Sequence, residues 1–275
     1  NIILSVGLTG FTGMVLASRS LPDANIILLA LMSLLFSAAG AAMINNIIER
    51  ERDKLMKRLV KRVEALKLVG IKPLSFFAAL LITCSLGISL FFINYLNFFL
   101  ILLAIFSYTI YYTLYLKKSS PYGTVLGGIP GALPVVIGYS AINPEISFYY
   151  VDVLILFVFM MIWQPPHFWS LSQHFFDDYK RAGFPIMPII YGQKYTNYLI
   201  SIYSLALLPI SLYFWIVGIA SNLYAFVAIL MGTCFLSLVF LSFKNKNYYK
   251  NVFFFSILYM LIINLSLSLD IIFNK

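Results

Sequence analysis

Charge is scarce in this chain. Its 275 residues hold 10 Asp and Glu, 19 Lys and Arg and 2 His, so 11% are charged against 61% hydrophobic, with mean hydropathy +0.92. Those proportions exclude an ordinary water-soluble domain. The 2 cysteines, Cys84 and Cys234, lie in apolar runs with no cysteine or histidine nearby in sequence, and read as inert buried thiols. No soluble domain, low-complexity tail or convincing short-period repeat is visible. The chain begins on an apolar run at Asn1 without a Met, so a natural N-terminal segment is expected to be missing.

Long apolar runs are what the chain has in abundance. A bilayer core takes roughly 20 apolar residues per helical span, and about nine such runs are present, at 2–18, 25–48, 73–95, 98–116, 123–142, 148–170, 197–217, 222–242 and 251–272. They are continuous, where a membrane barrel would alternate over about ten residues. The expected class is therefore all-α, a polytopic membrane protein whose residues 1–275 form one membrane-embedded domain. All Lys and Arg except Arg19 and Lys275 fall in alternate connections, which places the 49–72 connection in the cytoplasm. A basic membrane face and an anionic substrate account for the net charge of +9 without nucleic acid.

The polar residues are concentrated. From Asn45 to Arg62 the chain reads NNIIERERDKLMKRLVKR. Residues four apart share a helix face, so Asn45, Glu49 and Asp53 form one oxygen-bearing column, with Arg58, Lys61 and Arg62 one to two turns later. Mg²⁺ favours oxygen ligands and is commonly held by one or two carboxylates plus substrate phosphates; this layout suits a metal-bound diphosphate. The competing reading is a solvated helix in which Glu49, Glu51 and Asp53 make exposed salt bridges of a few tenths of a kcal/mol.

A second polar stretch, Trp163-Gln164-Pro165-Pro166-His167-Phe168-Trp169, leads to Asp177 and Asp178 on the same membrane side. The paired prolines are expected to break or kink the helix and free backbone carbonyls, which is tolerated at membrane depth where a cavity or protein satisfies them. His167 then lies at a cavity and Asp177 and Asp178 near its mouth, although taken alone a histidine here is more often a packing residue and the two aspartates more often a solvated helix end. Gly127, Gly128, Gly131 and Gly138 read as sites of close helix packing, and Lys117 and Lys118 as topology determinants.

On these residues the chain resembles the UbiA superfamily of intramembrane prenyltransferases. That superfamily carries Asn-x-x-x-Asp-x-x-x-Asp, which Asn45, Glu49 and Asp53 match with Glu in place of the first Asp. Its heme O synthase branch is similar at Arg50, Met56, Arg58, Tyr112–Lys118, Gly127-Gly128, Gly131-Ala132, Pro134, Trp163–Phe168, Asp178-Tyr179, Ala182-Gly183, Met187-Pro188, Phe255–Tyr259 and Asp270. Leu59, Val63 and Gly123 depart from that branch, and its N-terminal Lys-Pro-Arg segment is not present.

The resemblance implies farnesyl transfer from farnesyl diphosphate to a vinyl group of heme B, with Mg²⁺ as cofactor. It implies Glu49, Asp53 and Asp178 as metal ligands and Asn45 as their orienting partner. Arg58, Lys61, Arg62 and Lys118 are the expected diphosphate-binding residues, and His167, Trp163 and Tyr112 the heme-binding ones, with His174 a rival to His167. Tyr112, Phe168 and Trp169 are candidates to shield a carbocation. The expected setting is a prokaryotic cytoplasmic (inner) membrane with the site's mouth on the cytoplasmic side, and a heme A synthase or terminal oxidase assembly as partner. A polyprenyltransferase acting on an aromatic quinone precursor would share Asn45, Glu49 and Asp53. A membrane carrier of heme or another anionic solute would use the same broken helix and basic mouth.

Overall fold

The computed structural model describes residues 2–145 and 151–274, and no strand occurs among them. Without water in a bilayer core, helices satisfy their own backbone groups, and apolar runs of this length adopt them. The elements are α1 (Ile2–Ser18), α2 (Ala24–Asp53), α3 (Val60–Val69), α4 (Ile71–Ile93), α5 (Tyr95–Ser119), α6 (Gly123–Ile142), α7 (Val151–His174), α8 (Phe176–Arg181), α9 (Met187–Ile190), α10 (Gln193–Ile216), α11 (Asn222–Lys244) and α12 (Tyr248–Phe273). Among the described residues, 8 helices are long and apolar enough to cross a membrane, namely α2, α4–α7 and α10–α12. The ninth expected span is α1, which is shorter at 17 residues. Phe76, Phe91, Phe99, Phe226 and Leu230 face outward from the bundle, as apolar side chains do on an integral membrane protein bathed in lipid.

Local chemistry sets the helix ends. The Asp23 carboxylate accepts from the backbone N–H of Asn25 at 2.8 Å and starts α2; the Asn94 side chain does the same for α5 through Asn97 N–H at 2.8 Å. Gly70 and Gly192, with φ of 82° and 85°, turn the chain into α4 and α10 in a conformation that side chains resist. From Ser107 to Leu116, α5 widens into a π-helix, a form common at functional sites.

Several expectations are corrected. The run 25–48 extends to Asp53, so Glu49 and Asp53 stand on α2 itself. Positions 148–150 of the sixth expected span, and Asn1 and Lys275, lie outside the described residues. The paired prolines do not break α7, which runs from Val151 to His174; beside them Trp163 Nε1 donates to the Ser256 carbonyl at 2.7 Å and Gln164 Nε2 to the Gly128 carbonyl at 2.8 Å. Cys84 and Cys234 are exposed on the bundle's outer surface. An apolar helix in lipid has no inside for such thiols to seek.

Helix α1 closes the bundle, packing on α2, α6 and α12, while α7 packs on α6, α10 and α12. Its contact with α6 is backbone to backbone, since a Cβ on Gly138 would overlap the Gly10 carbonyl and one on Gly13 the Val135 carbonyl. Hydrogen bonds join the helices where lipid supplies none: Ser33 Oγ to the Ser85 carbonyl at 2.8 Å, and Asn97 Nδ2 to the Ile137 carbonyl at 2.7 Å. This order brings the C-terminal ends of α2, α5, α7 and α11 and the N-terminal ends of α4, α6, α10 and α12 to one end of the bundle, with the basic residues. The opposite end carries the Arg19–Asp152 ion pair, and Asp152 also accepts from the Tyr213 hydroxyl at 2.9 Å.

Candidate active site at the basic end of the bundle

Helix α2 carries Asn45, Glu49 and Asp53 as one inward column, each no more than 6% exposed. The facing helix α5 meets it rung by rung. Asn45 Nδ2 donates to Thr113 Oγ1 at 3.0 Å, and one turn on Lys117 Nζ lies 2.7 Å from both carboxylate oxygens of Glu49. Hydrogen-bond geometry holds only to Oε2, which leaves Glu49 Oε1 buried without a hydrogen bond.

The chain after α2 does not continue the helix. It turns over Lys54–Met56 and a 3₁₀ turn, Lys57–Leu59, and returns as α3. Arg62 therefore reaches back to pair with Asp53 and to stand 3.8 Å from Glu49. Met56 anchors the turn in a small cluster with Tyr179, Ala182 and Phe184. The Arg52 guanidinium lies 4.8 Å from the Phe184 ring centre and the Lys117 ammonium 5.0 Å from it. Arg52 Nη1 and Arg62 Nε are buried donors with no acceptor, and burial without a partner is costly for such groups.

Asp178, on α8, forms the opposite wall. It accepts from the backbone N–H of Arg58 at 3.0 Å and pairs with Arg181. Arg58 donates to the Tyr179 hydroxyl at 3.1 Å and lies over the Phe175 and Tyr179 rings. Burial pushes the Tyr179 phenol above its ordinary value, against the opposing pull of Arg58, so it is a neutral hydroxyl at neutral pH. Among the described residues no three His, Cys, Asp or Glu side chains converge to hold a metal, so Glu49 and Asp53 stand as a pair with Asp178 apart. That pair, four residues apart and with one oxygen lacking a hydrogen bond, is a donor set of the kind Mg²⁺ takes.

Lys61 is exposed on α3 and Lys118 partly exposed at the end of α5. His167 sits deeper on α7, its Nδ1 2.8 Å from Ser256 Oγ, its ring stacked on Trp163 at 4.7 Å between centres and 4.9 Å from that of Phe253. Tyr112 stacks on Tyr108 and packs against Gly127, while His174 is at the mouth beside Phe175. Sequence reasoning underrated Lys117 and left Arg52 and Ser256 without roles. Lys117 had a signal, since Thr113 and Lys117 repeat the four-residue spacing of Asn45 and Glu49.

The fold and this end of it define a membrane-embedded helical bundle in which paired buried carboxylates and partly buried cations meet at the end of an apolar interior. The chain belongs to the UbiA prenyltransferase family, whose model matches residues 6–265. It is 43% identical over 263 residues to the protoheme IX farnesyltransferase of Geotalea uraniireducens, covering 94% of this chain and 98% of that one. It is 37% identical to the protoheme IX farnesyltransferase of Aquifex aeolicus, covering 98% and 92%. Among solved structures, digeranylgeranylglyceryl phosphate synthase superposes with a TM-score of 0.78 at 21% identity, covering 97% of this chain and 93% of that one. A UbiA homolog from Archaeoglobus fulgidus bound to GPP and Mg²⁺ gives 0.64 at 14% identity, covering 97% and 96%. At those identities the two structures show the fold alone.

Proposed function

We propose that this protein transfers the farnesyl group of farnesyl diphosphate to a vinyl group of heme B, with addition of water, to give heme O and free diphosphate. One observation carries the reading: Glu49 and Asp53 meet Lys117 and Arg62 at the end of an apolar bundle, in a chain similar nearly end to end to protoheme IX farnesyltransferases.

The carbon–oxygen bond of farnesyl diphosphate breaks with its electrons leaving on the diphosphate. Arg52 and Arg62 hold donors without acceptors and turn them to the departing oxygens, where charge develops. Arg58, Lys61 and Lys118 line the way in. Glu49 and Asp53 are the residues that would hold Mg²⁺, with Asn45 as orienting partner, while Asp178 stands on the opposite wall with Arg58 N–H and Arg181. When bound, Mg²⁺ supplies further charge neutralisation on the diphosphate. The allylic cation is taken by the vinyl π bond; water adds to the resulting cation, and a proton is lost. His167, with Trp163 beneath its ring, is the heme contact, and Tyr112 lies between that interior and the diphosphate end. The basic end faces the cytoplasm under the positive-inside rule, in a prokaryotic inner membrane, and a heme A synthase or terminal oxidase assembly takes the product.

The test is a choice of acceptor. Offered labelled farnesyl diphosphate with heme B and an aromatic quinone precursor together, the purified protein should place the label on heme. Label on the quinone precursor would overturn the proposal in favour of that acceptor, and binding of heme without any transfer would indicate a carrier.

A further inference from the structure

A second feature of the basic end lies outside the diphosphate site. Between the C-terminus of α7 and the N-termini of α10 and α12 is a cavity of about 430 Å³ lined by Gln173, His174, Gln193, Lys246, Tyr249 and Lys250, among others. Neither Lys246 nor Lys250 has an acidic partner among the described residues. The floor is a buried polar relay. Gln173 Nε2 donates to the Gln193 carbonyl at 3.1 Å and to Asn197 Oδ1 at 2.7 Å, and Asn197 Nδ2 donates to the Tyr249 hydroxyl at 3.3 Å. Gln173 and Tyr249 are 4% and 5% exposed. Gln173 Oε1 has no hydrogen-bond partner among the described residues, and the Tyr249 hydroxyl, which accepts from Asn197, keeps its own proton to donate. A buried polar atom is ordinarily satisfied, and the relay ends at Tyr249, which lines the same cavity as Lys246 and Lys250.

The position of the cavity indicates what it takes. His167 and Ser256 are in contact at 2.8 Å on the α7–α12 seam. Gln173 and His174 lie six and seven residues nearer the mouth on α7, Tyr249 and Lys250 seven and six residues nearer on α12. At 1.5 Å per residue the seam runs roughly 10 Å from that contact to the cavity. An acceptor whose flat apolar body lies at His167 thus brings an anionic edge to Lys246 and Lys250. We propose that this cavity is a carboxylate subsite that binds the propionate groups of the heme acceptor, with Lys246, Lys250 and the Tyr249 hydroxyl as its donors. The inference rests on the acceptor being heme as proposed above.

Heme binding is followed by absorbance titration in detergent, with heme B and with its dimethyl ester, on the whole protein and on Lys246→Gln/Lys250→Gln. A Lys67→Gln/Lys72→Gln variant removes equal charge from the same end elsewhere. The expected result is a weakening for heme B of about tenfold in the first variant and none in the second, with the ester bound alike by all three. The KM for heme B should rise in step, and Lys246→Arg/Lys250→Arg should restore binding. Equal affinity for heme B in every variant, equal losses for heme B and ester, or weakening confined to farnesyl diphosphate would each overturn the subsite. Carboxylate-dependent binding of heme without farnesyl transfer would instead keep the subsite and overturn the reaction.

Discussion

Lys117 places its ammonium 2.7 Å from both carboxylate oxygens of Glu49, joining α5 to α2 through a carboxylate that is 2% exposed. The pair locks the two helices at the depth where a diphosphate would arrive. It also holds an anion and a cation that a metal-bound diphosphate would separate, carboxylate to metal and ammonium to phosphate.

That relationship has a stability consequence. Lys117→Gln leaves a buried carboxylate with only the more distant Arg62, and is expected to cost about 2 kcal/mol. The companion Glu49→Gln/Lys117→Gln should recover much of it. Thermal unfolding in detergent reads both; an unchanged midpoint in the single variant would show the pair to be energetically idle.

Asp53 is held by Arg62. Asp53→Asn keeps the shape and removes the charge, so turnover should fall at least about 100-fold, with heme binding retained. Chelation with EDTA should silence the unaltered protein equally. Turnover that persists in the variant removes Asp53 from the metal role.

His167 is tied to Ser256 and stacked on Trp163. His167→Ala should change the absorption spectrum of bound heme, and Ser256→Ala should shift it less, through loss of the hydrogen bond that orients the ring. An identical spectrum with full activity in His167→Ala would leave the residue a packing group.

The α1–α6 contact gives a matched pair of glycine substitutions. Gly138→Ala drives a methyl into the Gly10 carbonyl and should destabilise by about 3 kcal/mol. Gly87→Ala meets nothing within 4 Å and should stabilise by up to about 1 kcal/mol. Equal behaviour of the two in a thermal melt would contradict the close approach.

The all-helical class and most spans were legible because a bilayer leaves an apolar run few alternatives. The column Asn45, Glu49, Asp53 was legible for a similar reason: one helix and one period determine it. Contacts made by chain reversal were not. Arg62 reads as a continuation of the same helix, yet the turn at Lys54–Met56 folds it back onto Asp53. Asp178 reads as a third metal ligand, but its carboxylate answers to Arg58 N–H and Arg181. Ser256 joins His167 from 89 residues away, a separation at which no local period operates. The paired prolines suggest a break, yet α7 runs through them.

The most direct test of the central claim is mass analysis of heme extracted after incubating the purified protein with heme B, farnesyl diphosphate and Mg²⁺, beside an EDTA control. The account predicts a heme heavier by one farnesyl group and one hydroxyl group, formed only with metal present. Heme recovered unmodified from folded protein, with both substrates and metal present, would contradict it.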